Sequence, residues 1–61
     1  MKFLILNPNE IHLVVPVIHS DGRKDSVNLQ RRSRVTLREG MRVNPEFLKQ
    51  NPKALKIHEV A

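Results

Sequence analysis

The sequence predicts a mainly β fold: a small barrel or a two-layer β structure of about five short strands, with one short helix between Asn44 and Asn51. Three observations lead to this prediction. Short runs of aliphatic residues alternate with polar residues, turn signals separate these runs, and only one segment carries the signals of a helix. We expect one domain, residues 1–61, because the chain shows no linker and no internal repeat.

The first two strands are predicted from apolar runs near the start of the chain. Residues 2–6 form one, and the Asn7-Pro8-Asn9 turn signal closes it. Residues 11–19 form the next, and side-chain alternation divides it into two faces. One face holds Ile11, Leu13, Val15 and Val17, and the other holds His12, Val14, Pro16 and Ile18.

Both faces of this second strand are partly apolar, which is unusual for a small solvated sheet. Pro16 has no N–H to give to a neighbouring strand, so we expect an edge strand or a bulge there. An apolar edge is a place where another chain can add. The sequence therefore predicts a partner-binding apolar edge at Val14, Pro16 and Ile18.

A hairpin turn is predicted at Asp21-Gly22, because a type I′ turn needs positive φ at both central residues. The returning strand covers residues 24–30, with Val27 and Leu29 pointing inward. Continued alternation would then bury Arg31 and Ser33, so we expect a basic loop at residues 30–33.

The rest of the chain alternates strands with one helix. Residues 34–38 form a strand with Val35 and Leu37 inward, Glu39-Gly40 turns the chain, and residues 41–43 form a short strand. The helix begins with Asn44 as N-cap and Pro45 in its first turn, and Pro52 stops it. Phe47 and Leu48 are its expected buried contacts, and residues 54–60 form a closing strand.

The positive charge lies in one segment. From Arg23 to Arg42 seven basic and two acidic residues give a net charge of +5, which equals the charge of the whole chain. Such a segment indicates an acidic partner, either nucleic acid, an anionic protein face or a membrane surface, unless its side chains are only solvated. The predicted basic surface consists of Arg31, Arg32, Arg34, Arg38 and Arg42.

Enzymatic chemistry is not expected. The chain has no cysteine, so it has no disulfide, no thiolate nucleophile and no cysteine-based zinc site. His12 and His19 fall on opposite faces of one strand, and His58 is remote in sequence. The sequence contains no plausible catalytic triad and no glycine-rich phosphate loop. We therefore predict no catalytic, cofactor-binding or metal-binding residues, and structural roles for the histidines.

A position in a membrane is not expected either. The apolar run at residues 3–6 ends at Asn7, which makes it too short for a secretory signal. Residues 11–18 are too few to span a bilayer and contain Pro16. We expect no membrane partner and a protein that stays in the cytoplasm or is assembled there into something larger.

Two functions remain. The first is a structural or assembly protein that docks through the apolar edge and the arginine-rich strand into a homo- or hetero-oligomer. The alternative is a small basic nucleic-acid-binding β-barrel. The sequence has no Trp and no Tyr, and both Phe residues are expected in the core, so such a barrel lacks stacking platforms and would bind weakly.

The second half of the chain carries a resemblance. The segment RVTLREGMRVNPEFL, residues 34–48, followed by Asn51-Pro52 and Leu55, resembles a pattern in small virion proteins of tailed bacteriophages. There, a strand, a glycine turn, a short helix and an Asn-Pro or Asp-Pro step precede a last strand. The resemblance implies a minor or decorating component of the head, neck or tail, assembled in the host cytoplasm, with itself or other virion proteins as partners.

Overall fold

The computed structural model describes residues 2–60 and confirms a mainly β fold. The elements are β1 (Lys2–Leu6), β2 (Leu13–Ile18), β3 (Lys24–Leu29), β4 (Arg34–Thr36), β5 (Arg42–Val43), α1 (Pro45–Gln50) and β6 (Lys56–Val60). The strands form two antiparallel three-stranded sheets. We call them the β1 sheet, in the order β4-β1-β6, and the β2 sheet, in the order β3-β2-β5.

One hydrophobic core lies between the two sheets. Ile5 of β1 and Val15 and Val17 of β2 are fully buried, and they belong to a single cluster with residues from β3, β5 and the connecting segments. The other buried members are Leu29, Leu37, Met41, Val43 and Leu55. Each sheet therefore gives one face to the core, and its other face points away from it.

β2 is the middle strand of its sheet, so the prediction of an edge strand is wrong. It pairs with β3 from Leu13 to Ile18 without a bulge, and with β5 at Val17 and Ile18. Continuing that second register brings Pro16 opposite Asn44, whose N–H donates to the carbonyl oxygen of Pro16 at 2.9 Å.

The start of the helix explains why a proline fits inside the sheet. The carbonyl oxygen of Asn44 accepts from the backbone N–H groups of Phe47 and Leu48, at 3.0 and 3.3 Å. If residue 16 had a backbone N–H, its acceptor in the strand ladder would be the carbonyl oxygen of Asn44, which already accepts from α1. Pro16 loses no hydrogen bond, because the strand ladder ends at this residue.

The helix begins as predicted. The Oδ1 of Asn44 accepts from the backbone N–H of Glu46 at 2.9 Å, and Pro45 occupies the first turn. Phe47 and Leu48 pack against the core but stay half-buried, which corrects the prediction of buried contacts. Within residues 2–60 no helix has the length and apolar character needed to cross a membrane.

The β2–β3 hairpin has a different turn from the predicted one. His19 accepts from the N–H of Gly22 at 2.9 Å and donates its own N–H to Arg23 at 2.8 Å, which leaves a three-residue loop. Gly22 has φ +90°, whereas Asp21 does not adopt positive φ. A type I′ turn is thereby excluded, and the geometry matches a turn followed by one left-handed residue.

Candidate interaction faces

The outward side of the β1 sheet collects cations from three strands. Residues opposite one another in a sheet point to the same side, and Leu6 lies opposite both Arg34 and Lys56. At the other end, the N–H of Leu37 donates to the carbonyl oxygen of Phe3, which continues the register and brings Arg38 beside Lys2. We call this surface the basic face. Its basic residues are Lys2, Arg34, Arg38, Lys56 and His58, and all are exposed.

No carboxylate shares the basic face at the strand positions that the structure describes. Glu59 lies opposite Phe3 and so points to the other side of the sheet. The ion pairs seen between residues 2 and 60 join His19 with Asp25, Arg23 with Asp21 and Arg32 with Glu10, and none involves a cation of this face. The described ion pairs therefore leave the cations of this face without a carboxylate within 4.0 Å.

The structure divides the basic surface predicted from the sequence. Arg34 and Arg38 lie on the basic face, and Arg31 and Arg32 lie in the turn that leads into β4. Arg42 belongs to the other sheet, opposite Ile18. The prediction of one surface containing all five arginines is therefore wrong for Arg42, since β4 and β5 are edge strands of different sheets.

Sequence reasoning missed three members of the basic face, Lys2, Lys56 and His58. They lie outside the segment with the excess of positive charge and come from the two ends of the chain. The available signal was alternation, which places Lys2 with Leu4 and Lys56 with His58. Alternation does not say which strands pair, so the three could not be assigned to the side that carries Arg34.

The side chain of Arg32 contacts the loop after β1 instead of pointing freely outward. Its backbone has φ +57°, an uncommon conformation for a side chain of this size. Its N–H donates to Asn9 at 3.1 Å, and its Nε lies 3.4 Å from Oε1 of Glu10. The charge of Arg32 is thus directed to the loop after β1, whereas the structure shows no such contact for Arg31.

The outward side of the β2 sheet has an apolar centre. Val14 is 55% exposed, and Pro16 and Ile18 are half-buried along the middle strand. The residues opposite them are Asn28, Ser26, Lys24 and Arg42. We call this surface the apolar face. Among the strand positions that the structure describes on this face, none carries a carboxylate, and the charged ones are the two cations beside Ile18.

Two neighbours of β2 differ from the predicted pattern. Ile11 was expected to point inward with Leu13, but it lies before the strand begins and is 65% exposed. Leu13 is half-buried. The exposed apolar surface is therefore larger near the start of β2 than alternation alone predicts.

His19 contacts Asp25, with 3.3 Å between Nε2 and Oδ2. The pKa of Asp25 is lowered mainly because its carboxylate accepts the N–H of Ser26, and further because of the His19 hydrogen bond. His12, in the loop before β2, and His58, on β6, are both exposed. Within residues 2–60, no three His, Asp or Glu side chains are grouped so that they could hold a metal ion.

A shallow cleft of about 280 Å³ lies where α1 meets both sheets, lined by Phe3, Arg42, Val43, Leu48 and Ile57. Four of these residues are apolar. Among the lining residues that the structure describes, Arg42 is the charged one, and a guanidinium that stays protonated is neither a nucleophile nor a general base. The cleft thus offers apolar packing rather than the components of a bond-breaking site, and the absence of enzymatic activity stays a prediction.

Comparison with protein-family models, with curated proteins and with solved structures gave no match. The resemblance of residues 34–55 to small virion proteins therefore stays a prediction. The structural basis for a function is the basic face and the apolar face.

Proposed function

We propose that this protein is a non-enzymatic structural protein that docks into a larger assembly through the apolar face. The observation that carries the proposal is the row of Val14, Pro16 and Ile18 along the outward side of the middle strand. An antiparallel sheet with one side in water normally alternates apolar and polar residues. Here the outward positions of the central strand are apolar too, as in a sheet that is covered on both sides.

The partner that fits this face is a different protein with an apolar strip flanked by carboxylates. Lys24 and Arg42 lie opposite Ile18, at one end of the apolar row. A guanidinium and an ammonium there favour carboxylates on the facing surface. A second copy fits less well, because the same face of that copy would present cations and no carboxylate.

The resemblance of residues 34–55 supports a place in a tailed-bacteriophage particle. A minor component of the head, neck or tail needs binding surfaces but no active site. Its partners would be other virion proteins, and assembly would occur in the host cytoplasm. Neither the fold nor the two faces depends on this part of the proposal.

Two measurements test the proposal. Sedimentation of the purified protein is expected to give the mass of one chain, 7.1 kDa, at micromolar concentration. If sedimentation instead shows a dimer, and Val14→Lys dissociates it, the apolar face binds a second copy of the chain and not a different protein. A mass-spectrometric inventory of the purified particle is expected to contain the chain in fixed stoichiometry, and its absence would overturn the placement in a virion.

A further inference from the structure

The basic face has the dimensions of a patch that can contact several anions at once. Five residues of a strand span about 13 Å, and three neighbouring strands span about 10 Å. Lys2 and Arg38 lie at one end of this patch, and Arg34 and Lys56 lie at the other, on the two edge strands beside Leu6. Four cations thus surround the half-buried Leu4 and Leu6.

We propose that the basic face binds the phosphate backbone of double-stranded nucleic acid without reading its sequence. A duplex carries one negative charge per about 1.7 Å of its axis, so a patch about 13 Å long faces several phosphates in any register. The four cations have no carboxylate partner among residues 2–60, and binding releases the counterions condensed on the duplex.

The chemistry of the face favours a duplex over a single strand. Proteins that hold single strands stack bases mainly on large aromatic side chains, and the described basic face carries no Phe, Tyr or Trp, its one ring being the imidazole of His58. Phe3 is half-buried on the opposite side of β1, Phe47 lies on α1, and the chain contains no Trp or Tyr. The face therefore has four cations for phosphates and a single ring for stacking, so the phosphates supply most of the attraction.

The shape of the face favours contact with the backbone over contact with bases. Direct reading of sequence needs a helix or a two-stranded ribbon that enters a groove. The basic face is the side of a three-stranded sheet with short edge strands, and β4 contains three residues. Such a surface meets phosphates on the outside of the duplex, so affinity is expected to be independent of sequence.

An acidic protein is a weaker fit to this face. Exposed ion pairs between proteins contribute only about 0–1 kcal/mol each, and their carboxylates must match the positions of the cations. A duplex presents phosphates at regular intervals and does not need such a match. The inference is also independent of the docking proposed above, because the apolar face belongs to the other sheet and points away from the basic face.

The test is fluorescence anisotropy with a labelled 20-base-pair DNA duplex between 50 and 200 mM NaCl. Four phosphate contacts predict a slope of about −3.6 in a plot of log K against log salt concentration, which is about a 150-fold loss of affinity over this range. Arg34→Gln combined with Arg38→Gln is expected to reduce the magnitude of the slope by about 2. A duplex of unrelated sequence is expected to bind equally.

The matched control is Lys24→Gln combined with Arg42→Gln. It removes the same charge from the β2 sheet and is expected to leave the slope unchanged. All four residues are exposed, so thermal melting is expected to show both variants folded. Equal loss in the two double variants would overturn the inference, because net charge alone would then explain binding.

Two competitors complete the test. The competitors are unlabelled single-stranded DNA of the same length and poly-glutamate. Each is expected to need a much higher concentration than unlabelled duplex does to displace the labelled duplex. Stronger displacement by poly-glutamate would assign the face to an acidic protein, stronger displacement by the single strand would exclude a duplex site, and no binding at 50 mM NaCl would exclude nucleic acid.

Discussion

The side-chain Nδ2 of Asn7 donates to the carbonyl oxygen of Leu29 at 3.2 Å, which ties the end of β1 to the end of β3 across the two sheets. The same nitrogen lies 2.8 Å from the oxygen of Ile11 and 3.1 Å from that of Gln30. Three acceptors share its two hydrogens. Asn7 is 1% exposed, and its Oδ1 accepts the N–H of Asn9 at 3.0 Å. This one side chain therefore holds the turn that carries Arg31 and Arg32.

Replacing Asn7 is expected to destabilise the fold strongly. Asn7→Ala leaves buried carbonyl groups without a donor and should lower the free energy of unfolding by about 1–3 kcal/mol. Asn7→Asp should cost more, because a carboxylate would face three carbonyl oxygens. Urea denaturation measures both. The control is Asn28→Asp, an exposed position on β3. If Asn7→Asp were as stable as this control, the buried amide would not join the sheets.

Gly40 is expected to tolerate alanine less well than Gly22. Gly40 has φ +84° and Gly22 has φ +90°. Alanine at either position is therefore expected to lower the free energy of unfolding by about 1–2 kcal/mol through backbone strain alone. A Cβ on Gly40 would lie 3.1 Å from Oγ of Ser20 and 3.2 Å from its Cβ, whereas a Cβ on Gly22 meets open space. In a double-mutant cycle, Ser20→Gly should remove the extra cost at Gly40. If Gly40→Ala and Gly22→Ala lower the stability equally while Ser20 is present, the close contact between Gly40 and Ser20 is contradicted.

Arg32→Gly is expected to be at least as stable as the native protein. Glycine removes the left-handed strain at φ +57°, about 1 kcal/mol, and the guanidinium contacts it loses are exposed and 3.4 Å long. Arg32→Ala loses the same contacts and keeps the strain, so it should be about 1 kcal/mol less stable than Arg32→Gly. The denaturation midpoints of the native protein and the two variants measure both effects. An Arg32→Gly variant clearly less stable than the native protein would show that the side chain stabilises the turn, and equal midpoints for the two variants would show no backbone strain at φ +57°.

The carboxyl of Asp25 is expected to titrate below its ordinary pKa of 3.8. The folded pKa lies below the unfolded one, so any stabilisation from the ionised group is complete above pH 3.8 and is lost as the pH falls through the folded pKa. In an NMR titration, His19→Gln should move the midpoint only part of the way back, because the Ser26 N–H still donates. A midpoint that returns fully to the ordinary value would make His19 the main cause.

The strands and the helix cap could be predicted because their signals are local. The apolar run that the Asn7-Pro8-Asn9 turn signal closes gave β1 with its native bounds, and Asn44 followed by Pro45 gave the start of α1. The position of β2 could not be predicted from Pro16. The acceptor that Pro16 would have used is occupied by the helix that begins at Asn44, and this relation joins residues far apart in sequence.

The candidate faces could be predicted only in part, for the same reason. Val14, Pro16 and Ile18 share a face by alternation within one strand, and the structure confirms their common side. The basic face depends on β1 pairing with both β4 and β6, which no local pattern specifies. The sequence predicts Asn7 as part of a turn, and the hydrogen bond from the N–H of Asn9 to Oδ1 of Asn7 agrees with that prediction. The burial of Asn7 could not be predicted, because it depends on the end of β1 lying against the end of β3.

The central claim is that the apolar face binds a partner and is not part of the protein's own core. With the proposed virion as the assembly, the most direct test is the amount of Val14→Lys protein incorporated into purified particles that contain the native protein, compared with Gln50→Lys, an exposed helix position with the same change of charge. We predict that Val14→Lys folds with a native melting temperature and is lost from the particle, that Ile18→Lys is lost as well, and that Gln50→Lys is retained. Normal incorporation of Val14→Lys would contradict the claim, and so would its unfolding.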